Sequence, residues 1–232
     1  MENPKVSIIT TTYNDKENLK KIIAQVKNQD DANVEYVIVD GGSTDGTLEV
    51  IAEAAEYFGS RLKWISEKDK GIYDAINKGI RNFIIGIGGS ATNDGGIGML
   101  KALGFTFLDK DGQDTGEGGQ ALAKVASVRL SDNAELLSQC NFKIACDVTN
   151  PLCGFQGATY IYGPQKGVTS EMLPVLDAGM ENYAKVTSQT IGKDNMNASG
   201  AGAAGGLGFA FLRYLNGELT PGIPLILNAV HL

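Results

Sequence analysis

The fold is decided by the run YVIVDGGSTDG at residues 36–46, in which an apolar stretch ends at an aspartate and a glycine-rich turn. A short apolar run that stops at a turn is typical of a strand buried on both faces. Val6–Thr10 is predicted to be a buried strand, and Leu62–Ile65 is predicted to be a third, short strand. Between these strands, apolar residues recur at helical spacing, which predicts a helix in each interval. Strand, helix, strand, helix, strand predicts a parallel, right-handed wound sheet.

In the rest of the chain the predicted strands are shorter and the turns are richer in glycine. A helix is predicted from Ile72, and Phe83–Ile87 is predicted to be a continuous apolar strand. Phe142–Cys146 is the clearest late strand, and Ser170–Val186 and Gly205–Leu215 are the clearest late helices. The expected fold class is α/β, with a parallel wound sheet in the N-terminal part that continues into a Gly-rich mixed α/β region.

Composition and charge exclude several classes of protein. The 232 residues carry a net charge of −7, which argues against a general binder of nucleic acid or of anionic membranes. Three cysteines and one histidine are too few for a disulfide framework or a good zinc site, so no metal site is predicted and a reduced, cytoplasmic location is expected. No apolar run reaches the length of a membrane span. The oligomeric state is not indicated.

Polar residues follow three predicted strands of the first part, at 11–14, at Asp40 with Asp45, and at 67–71. Ligands of α/β sheets bind at these carboxyl ends of strands. A tyrosine ring there can stack on a base, and an aspartate can accept the N–H of uracil or bind ribose hydroxyls. The alternative is that Asn14 and Asp45 cap helices and Asp40 closes a turn.

These runs together carry a family resemblance. VSIITTTYN at 6–14, VIVDGGSTDGT at 37–47 and EKDKGIYDA at 67–75 resemble family 2 inverting glycosyltransferases over residues 4–80. The resemblance implies that Tyr13, Asp40 and Asp69 line a UDP pocket. That family continues to an Asp-x-Asp metal motif and to an acceptor half with the general base. Neither follows here, so we expect no sugar transfer from this piece.

A second group of runs begins with IGIGGSATNDGGIG at 85–98, which follows a strand and opens a helix. Converging backbone N–H groups at a helix start suit a phosphate or carboxylate, whereas the alternative is a tight turn capped by Asp94. ACDVTNPL at 145–152 places Asp147 and Asn150 at the end of a buried strand. YGPQKG at 162–167 is a constrained turn that presents a lysine. GAGAAGGLG at 200–208 starts a helix or allows close packing.

These four runs resemble the bacterial class of glycerate kinases over residues 81–229. The resemblance implies ATP-dependent phosphorylation of glycerate, with ATP and Mg²⁺ as cofactors and small molecules as the partners. Phosphoryl transfer requires a carboxylate near the attacking hydroxyl and cations or amides on the moving charge. Asp94 or Asp147 is the candidate base or metal ligand, and Lys166 the candidate for the anion. The candidates to hold the carboxylate or phosphate are Gly88, Gly89, Ser90, Asn93 and Asn150.

Each of these assignments has a plainer alternative. Asp94 could cap a helix, Asp147 could simply end a strand, and Lys166 could be solvated.

The organisation predicted is a glycosyltransferase-like piece at 1–80 joined to a glycerate kinase-like piece at 81–232. Residues 74–82 fit both families, and no polar linker separates the pieces, so a recombinant or engineered chimera is the favoured interpretation. The kinase family also has a Ser-Phe-Lys-Gly region before this segment and a Gly-Glu-Gly segment after it. Their absence predicts an impaired kinase. The alternatives are a UDP-sugar-binding remnant and a chimera without catalytic activity.

Overall fold

The computed structural model describes residues 6–12, 14–28, 34–66, 81–87, 90–192 and 195–229. The chain divides into two compact units, Met1–Ile84 and Ile85–Leu232. The helix predicted from Ile72 lies outside the described residues. Within the described part of the chain, no helix is both long enough and apolar enough to cross a membrane.

The first unit is built of parallel strands and two helices, which confirms the wound sheet predicted for this part. The elements are β1 (Val6–Thr12), α1 (Lys16–Lys27), β2 (Val34–Asp40), α2 (Thr47–Phe58), β3 (Leu62–Ser66) and the first residues of β4 (Asn82–Gly86), which ends in the second unit. The strand order is β3-β2-β1-β4, and every pairing is parallel. A single 3₁₀ turn, Gly59–Arg61, leads from α2 into β3.

The core of the first unit lies where the two helices meet β2. In α1, Leu19, Ile23 and Val26 are buried and recur at helical spacing, so one face of the helix is apolar. They pack with Val50, Ile51 and other residues of α2 and with the buried side chains of β2. The strand predicted at Tyr36–Val39 is confirmed, and every residue of β2 after Val34 is buried, as in a strand covered on both faces.

The second unit contains more elements than the first, and its strands are short, as the sequence predicts. Its strands are β5 (Thr106–Leu108), β6 (Ser127–Arg129), β7 (Asn141–Ala145) and β8 (Glu218–Thr220). Its helices are α3 (Ile97–Ala102), α4 (Ala134–Ser138), α5 (Ala158–Tyr162), α6 (Met172–Ile191), α7 (Ala203–Tyr214) and α8 (Gly222–Ala229), with 3₁₀ turns at Gly119–Lys124 and Pro164–Lys166. β7 and β8 pair in parallel, whereas β5 and β6 pair antiparallel. The late strand and both late helices predicted from the sequence are confirmed.

Aromatic packing between α6 and α7 holds the second unit together. Tyr183 of α6 is completely buried, and its ring meets Phe107 and Phe209 edge-on at centroid distances of 5.9 and 5.4 Å. Thr187 Oγ1 and Tyr214 Oη share a hydrogen bond of 2.7 Å between the same two helices. These contacts fix the position of α7 and therefore of the glycine-rich loop at its start.

Two glycine-rich loops of the second unit touch backbone to backbone. Ala204, Gly205 and Gly206 have positive φ values of 51°, 68° and 99°, which interrupts α7 in its first turn. The Gly95 N–H donates to the Gly205 carbonyl at 2.9 Å. A Cβ atom on Gly205 would lie 2.1 Å from the Thr92 carbonyl oxygen. The structure therefore confirms the close-packing interpretation of the run at 200–208.

We expect Gly205→Ala to lower the free energy of unfolding by ~2–4 kcal/mol, because backbone strain and a backbone clash act together. Gly112→Ala is the matched control, since its φ is 75° and nothing lies within 4 Å of its would-be Cβ. That variant should lose only ~1 kcal/mol, the strain alone. Urea unfolding followed by circular dichroism measures both. Equal losses would show that the two loops do not pack as described.

Candidate functional site

The four runs singled out in the second part of the chain meet at one cavity of about 230 Å³. Its wall is formed by Ile87 and Ser90 after β4, residues 145–148 at the end of β7, Tyr162, Gln165 and Lys166 after α5, and Ala203 and Ala204 in α7. Of the predicted site residues, Ser90, Asp147 and Lys166 line this cavity. Gly88 and Gly89 lie outside the described residues.

Lys166 is held in the wall by two hydrogen bonds. Its Nζ donates to Ser90 Oγ at 3.0 Å and to the Thr92 carbonyl at 2.7 Å. The 3₁₀ turn that carries it ends at Gly167, whose φ of +88° closes the turn. Burial lowers the pKa of Lys166, and the negative charge of Asp94 partly opposes that shift. Lys166 is therefore a half-buried, anchored lysine rather than the solvated one of the alternative interpretation.

The two candidate carboxylates occupy different environments. Asp94 is buried, and its oxygens accept the N–H groups of Gly96 at 3.0 Å and Gly98 at 3.2 Å where α3 begins. The capping interpretation of Asp94 therefore describes its contacts. Asp147 is exposed and lines the cavity, and its Oδ1 accepts the Gly222 N–H at 2.8 Å where α8 begins.

The two candidate amides hold protein groups beside the cavity. Asn93 Nδ2 donates to Thr159 Oγ1 at 3.1 Å, and Thr159 is completely buried. Asn150 donates from Nδ2 to the Gln156 carbonyl at 2.8 Å. Asn150 Oδ1 accepts the hydroxyl proton of Tyr162 at 2.6 Å. Within the described residues, neither amide is part of the cavity wall.

Two residues of the wall, Tyr162 and Cys146, were not among the predicted site residues. Tyr162 belongs to the run YGPQKG, in which the sequence predicts only the lysine as a site residue. Burial raises the pKa of Tyr162, and the nearby Cys146 adds to the shift. Tyr162 could have been predicted from its place in the sequence. It is the last residue of α5, and the 3₁₀ turn that carries Lys166 follows directly, so both side chains belong to one short segment.

In the first unit, Asp40 is completely buried and surrounded by donors. Its carboxylate accepts the N–H groups of Gly42 at 3.0 Å and Ser43 at 2.9 Å, and the hydroxyls of Ser66 at 2.6 Å and of Ser43. Burial by itself raises the pKa of Asp40, but these hydrogen bonds together outweigh it and lower the pKa below its ordinary value. Tyr13 and Asp69 lie outside the described residues, so the UDP pocket stays a prediction.

Asp45 satisfies the first N–H of two helices. It accepts from Thr47 at 3.0 Å and from Lys16 at 3.1 Å, the residues with which α2 and α1 begin. Asp45 therefore bonds helix-start N–H groups, as the capping interpretation predicts, although the N-cap residue of α2 is Gly46. The capping interpretation is wrong for Asn14, whose Oδ1 instead accepts the Thr44 N–H at 2.8 Å, because the turn after β2 lies against it.

Comparison with known proteins assigns the second unit to a family. A model of the glycerate kinase family matches residues 69–232, and a model of glycosyl transferase family 2 matches residues 7–83. Because the first match covers more than half of the chain, this mixed α/β protein belongs to the glycerate kinase family. The two matches overlap at 69–83, which includes the whole of the segment 74–82 that fits both families. The chimera interpretation stays a prediction.

Individual relatives agree with this assignment. Glycerate kinase of Bacillus subtilis is 47% identical over 156 residues, which are 67% of this chain and 41% of that protein. Glycerate 2-kinase of Escherichia coli is 44% identical over 161 residues, 69% of this chain and 42% of that protein. A crystal structure of a Salmonella typhimurium protein assigned as a glycerate kinase 2 superposes with a TM-score of 0.66 at 43% identity, covering 69% of this chain and 43% of that one. The chain thus spans less than half the length of these relatives.

We expect Asp40→Asn to destabilise the protein at neutral pH by about 1–3 kcal/mol, because hydrogen bonds to a charged acceptor are weakened. The folded-state pKa of Asp40 is lowered, so its contribution is complete above about pH 4 and is lost as the pH falls through the folded-state value. The wild type should therefore lose stability below about pH 4 more steeply than the variant. Urea unfolding followed by the fluorescence of Trp64, the single tryptophan, measures this.

Glu53→Gln, at an exposed position of α2, is the control for removing one carboxylate. An Asp40→Asn variant with the same acid profile as the wild type would show that the buried carboxylate is not stabilised by its donors.

Proposed function

We propose that this chain is a glycerate kinase-like transferase, which moves the γ-phosphoryl group of ATP to a hydroxyl of glycerate. One observation carries the proposal: the four runs with the family resemblance meet at a single cavity that holds a lysine and a carboxylate. Membership of the glycerate kinase family supports the same reaction class. The activity of the longer relatives is thereby proposed for this shorter chain.

Lys166 is proposed to bind the anion, either the carboxylate of glycerate or the phosphoryl group in transit. An ammonium group has three protons, and two of those on Lys166 are used by Ser90 and Thr92. The third is available to a ligand. Because Ser90 Oγ accepts from Lys166, its own proton can be donated to the same anion. Together they form a small donor group suited to a negative charge.

Asp147 is proposed to act on the attacking hydroxyl as general base. Support comes from the contrast with Asp94, whose two oxygens are occupied at the start of α3. Asp147 lies exposed in the wall, with Oδ1 bonded to a backbone N–H that holds the carboxylate in place. A carboxylate positioned this way can accept the hydroxyl proton as the phosphoryl group is transferred.

The donor set also fits Mg²⁺ delivered with ATP. Among the residues that the structure describes, no group of three or more His, Cys, Asp or Glu side chains is placed to hold a metal ion. Mg²⁺ usually takes one or two protein carboxylates and completes its shell with phosphate oxygens and water. Asp147 would be that carboxylate only as the alternative to its role as general base, since a carboxylate bound to Mg²⁺ is a poor proton acceptor. When bound, the ion neutralises charge on the phosphates.

The size of the cavity supports a small occupant. At about 230 Å³ it is below the roughly 300–1,000 Å³ of sites that enclose a drug-sized ligand. Glycerate and the transferring phosphoryl group are small enough, whereas the nucleoside of ATP would extend beyond these walls. The impaired activity and the cytoplasmic location stay predictions from the sequence.

A second candidate function is UDP binding by the first unit, which the match of residues 7–83 to glycosyl transferase family 2 favours. Stabilisation of the wild type by UDP in a thermal-shift series, reduced in Asp40→Asn, would support it. No shift with UDP or UDP-sugars would count against it.

We expect the chain to release ADP when it is supplied with D-glycerate and Mg²⁺-ATP in a coupled assay. Asp147→Asn should lower kcat/KM by roughly 10²–10⁴-fold, because the proton acceptor is lost. Lys166→Met should lower it by roughly 10²–10³-fold, because a donor to the developing charge is removed. The matched controls are Asp132→Asn and Lys185→Met, which alter exposed residues outside the cavity wall.

Asp94→Asn separates the two carboxylates. Its main effect should be a loss of about 1 kcal/mol in the free energy of unfolding, as for other helix caps. If the wild-type chain releases no more ADP in the presence of glycerate than an Asp147→Ala variant does, the kinase proposal is overturned.

A further inference from the structure

The hydroxyl proton of Tyr162, a residue of the cavity wall, is already committed to a protein acceptor. Tyr162 Oη lies 2.6 Å from Asn150 Oδ1. The other end of the Asn150 amide donates to the Gln156 carbonyl at 2.8 Å, which fixes the orientation of the amide. The amide oxygen therefore faces Tyr162, and the tyrosine must be the donor.

This arrangement decides what Tyr162 can offer to a ligand. A phenol has one proton, so once that proton is used its oxygen can only accept a hydrogen bond. A tyrosine phenol with its ordinary pKa of about 10 is protonated at neutral pH, and burial and the nearby Cys146 raise the pKa of Tyr162 further. A carboxylate or phosphate has no proton to give and gains nothing from Tyr162. A hydroxyl group can donate to it.

The wall of the cavity thus offers two kinds of hydrogen-bonding group. Lys166 and Ser90 are donors and suit an anion. Tyr162 is an acceptor and suits a hydroxyl group. Glycerate carries one carboxylate and two hydroxyls, of which phosphorylation uses one. The second hydroxyl needs an acceptor that does not take part in the transfer.

We propose that Tyr162 recognises the hydroxyl of glycerate that is not phosphorylated, and that it thereby selects dihydroxy acids over acids with a single hydroxyl. This inference rests on the proposed kinase function of the same cavity. Asn150 acts through Tyr162 as a positioning residue and does not touch the substrate. A site that hydrogen-bonds a substrate hydroxyl discriminates strongly against analogues without it.

The test compares three ligands by isothermal titration calorimetry: D-glycerate, lactate and 3-hydroxypropanoate, each analogue lacking one hydroxyl. Tyr162→Phe should weaken the binding of D-glycerate by roughly 2- to 13-fold, the effect of one hydrogen bond. The analogue that retains the recognised hydroxyl should weaken by the same factor. The analogue that lacks it should bind wild type and variant equally. Tyr160→Phe is the matched control, since Tyr160 lies on the same helix but outside the cavity wall.

The Asn150 variants test the orienting role. Asn150→Leu removes the acceptor and should reduce the discrimination between glycerate and the sensitive analogue. Asn150→Asp keeps an acceptor oxygen and should retain the discrimination even if all three acids bind more weakly. Equal loss of discrimination in both variants would overturn the role of Asn150. An equal factor for all three ligands in Tyr162→Phe, or no change for any, would overturn the role of Tyr162.

ADP release measured in parallel separates this inference from the proposed function. Discrimination that depends on Tyr162 without ADP release overturns the kinase activity and supports hydroxyl recognition. ADP release with discrimination unaffected by Tyr162→Phe overturns hydroxyl recognition alone. A wild-type chain that binds no D-glycerate overturns both.

Discussion

The contact between two glycine-rich backbone segments is the constraint on which the site of the second unit depends. Gly205 lies so close to the Thr92 carbonyl that no side chain fits between them, and the neighbouring Gly95 N–H bonds to the Gly205 carbonyl. The same Thr92 carbonyl accepts a hydrogen bond from the ammonium group of Lys166. One backbone oxygen therefore joins the start of α7 to the turn that carries the lysine. The cavity exists where these segments and the end of β7 leave space.

Four aspartates of this protein have different roles because they accept hydrogen bonds in different surroundings. Asp40, Asp45 and Asp94 bind backbone N–H groups at turns or helix starts, and in each the carboxylate organises the local chain. Asp147 also binds one such N–H group, but it does so in the wall of the cavity that Lys166 also lines. Capping and chemistry are compatible in a carboxylate that has two oxygens, so a capping contact alone does not define its role.

The comparisons and the geometry support different parts of the functional argument. Family membership comes from residues 69–232 and indicates the reaction class. The placement of Ser90, Asp147, Tyr162 and Lys166 around one cavity indicates which side chains could perform it. The first unit matches a different family and has its own organised carboxylate, Asp40. Its parallel sheet is a common scaffold, so the fold alone assigns no activity to it.

The sequence by itself determined the parallel wound sheet of the first unit, the main late elements of the second, and the four runs that meet at the cavity. These depend on local patterns, because apolar periodicity and turn residues act over a few positions. Only the tertiary structure separated Asp94 from Asp147 and brought Tyr162 and Cys146 into the site. The physical reason is that burial and hydrogen bonds depend on segments far apart in the chain. Lys166 and Thr92, for example, form a hydrogen bond although they are distant in sequence. Patterns within a few neighbouring residues cannot show which distant segments will meet.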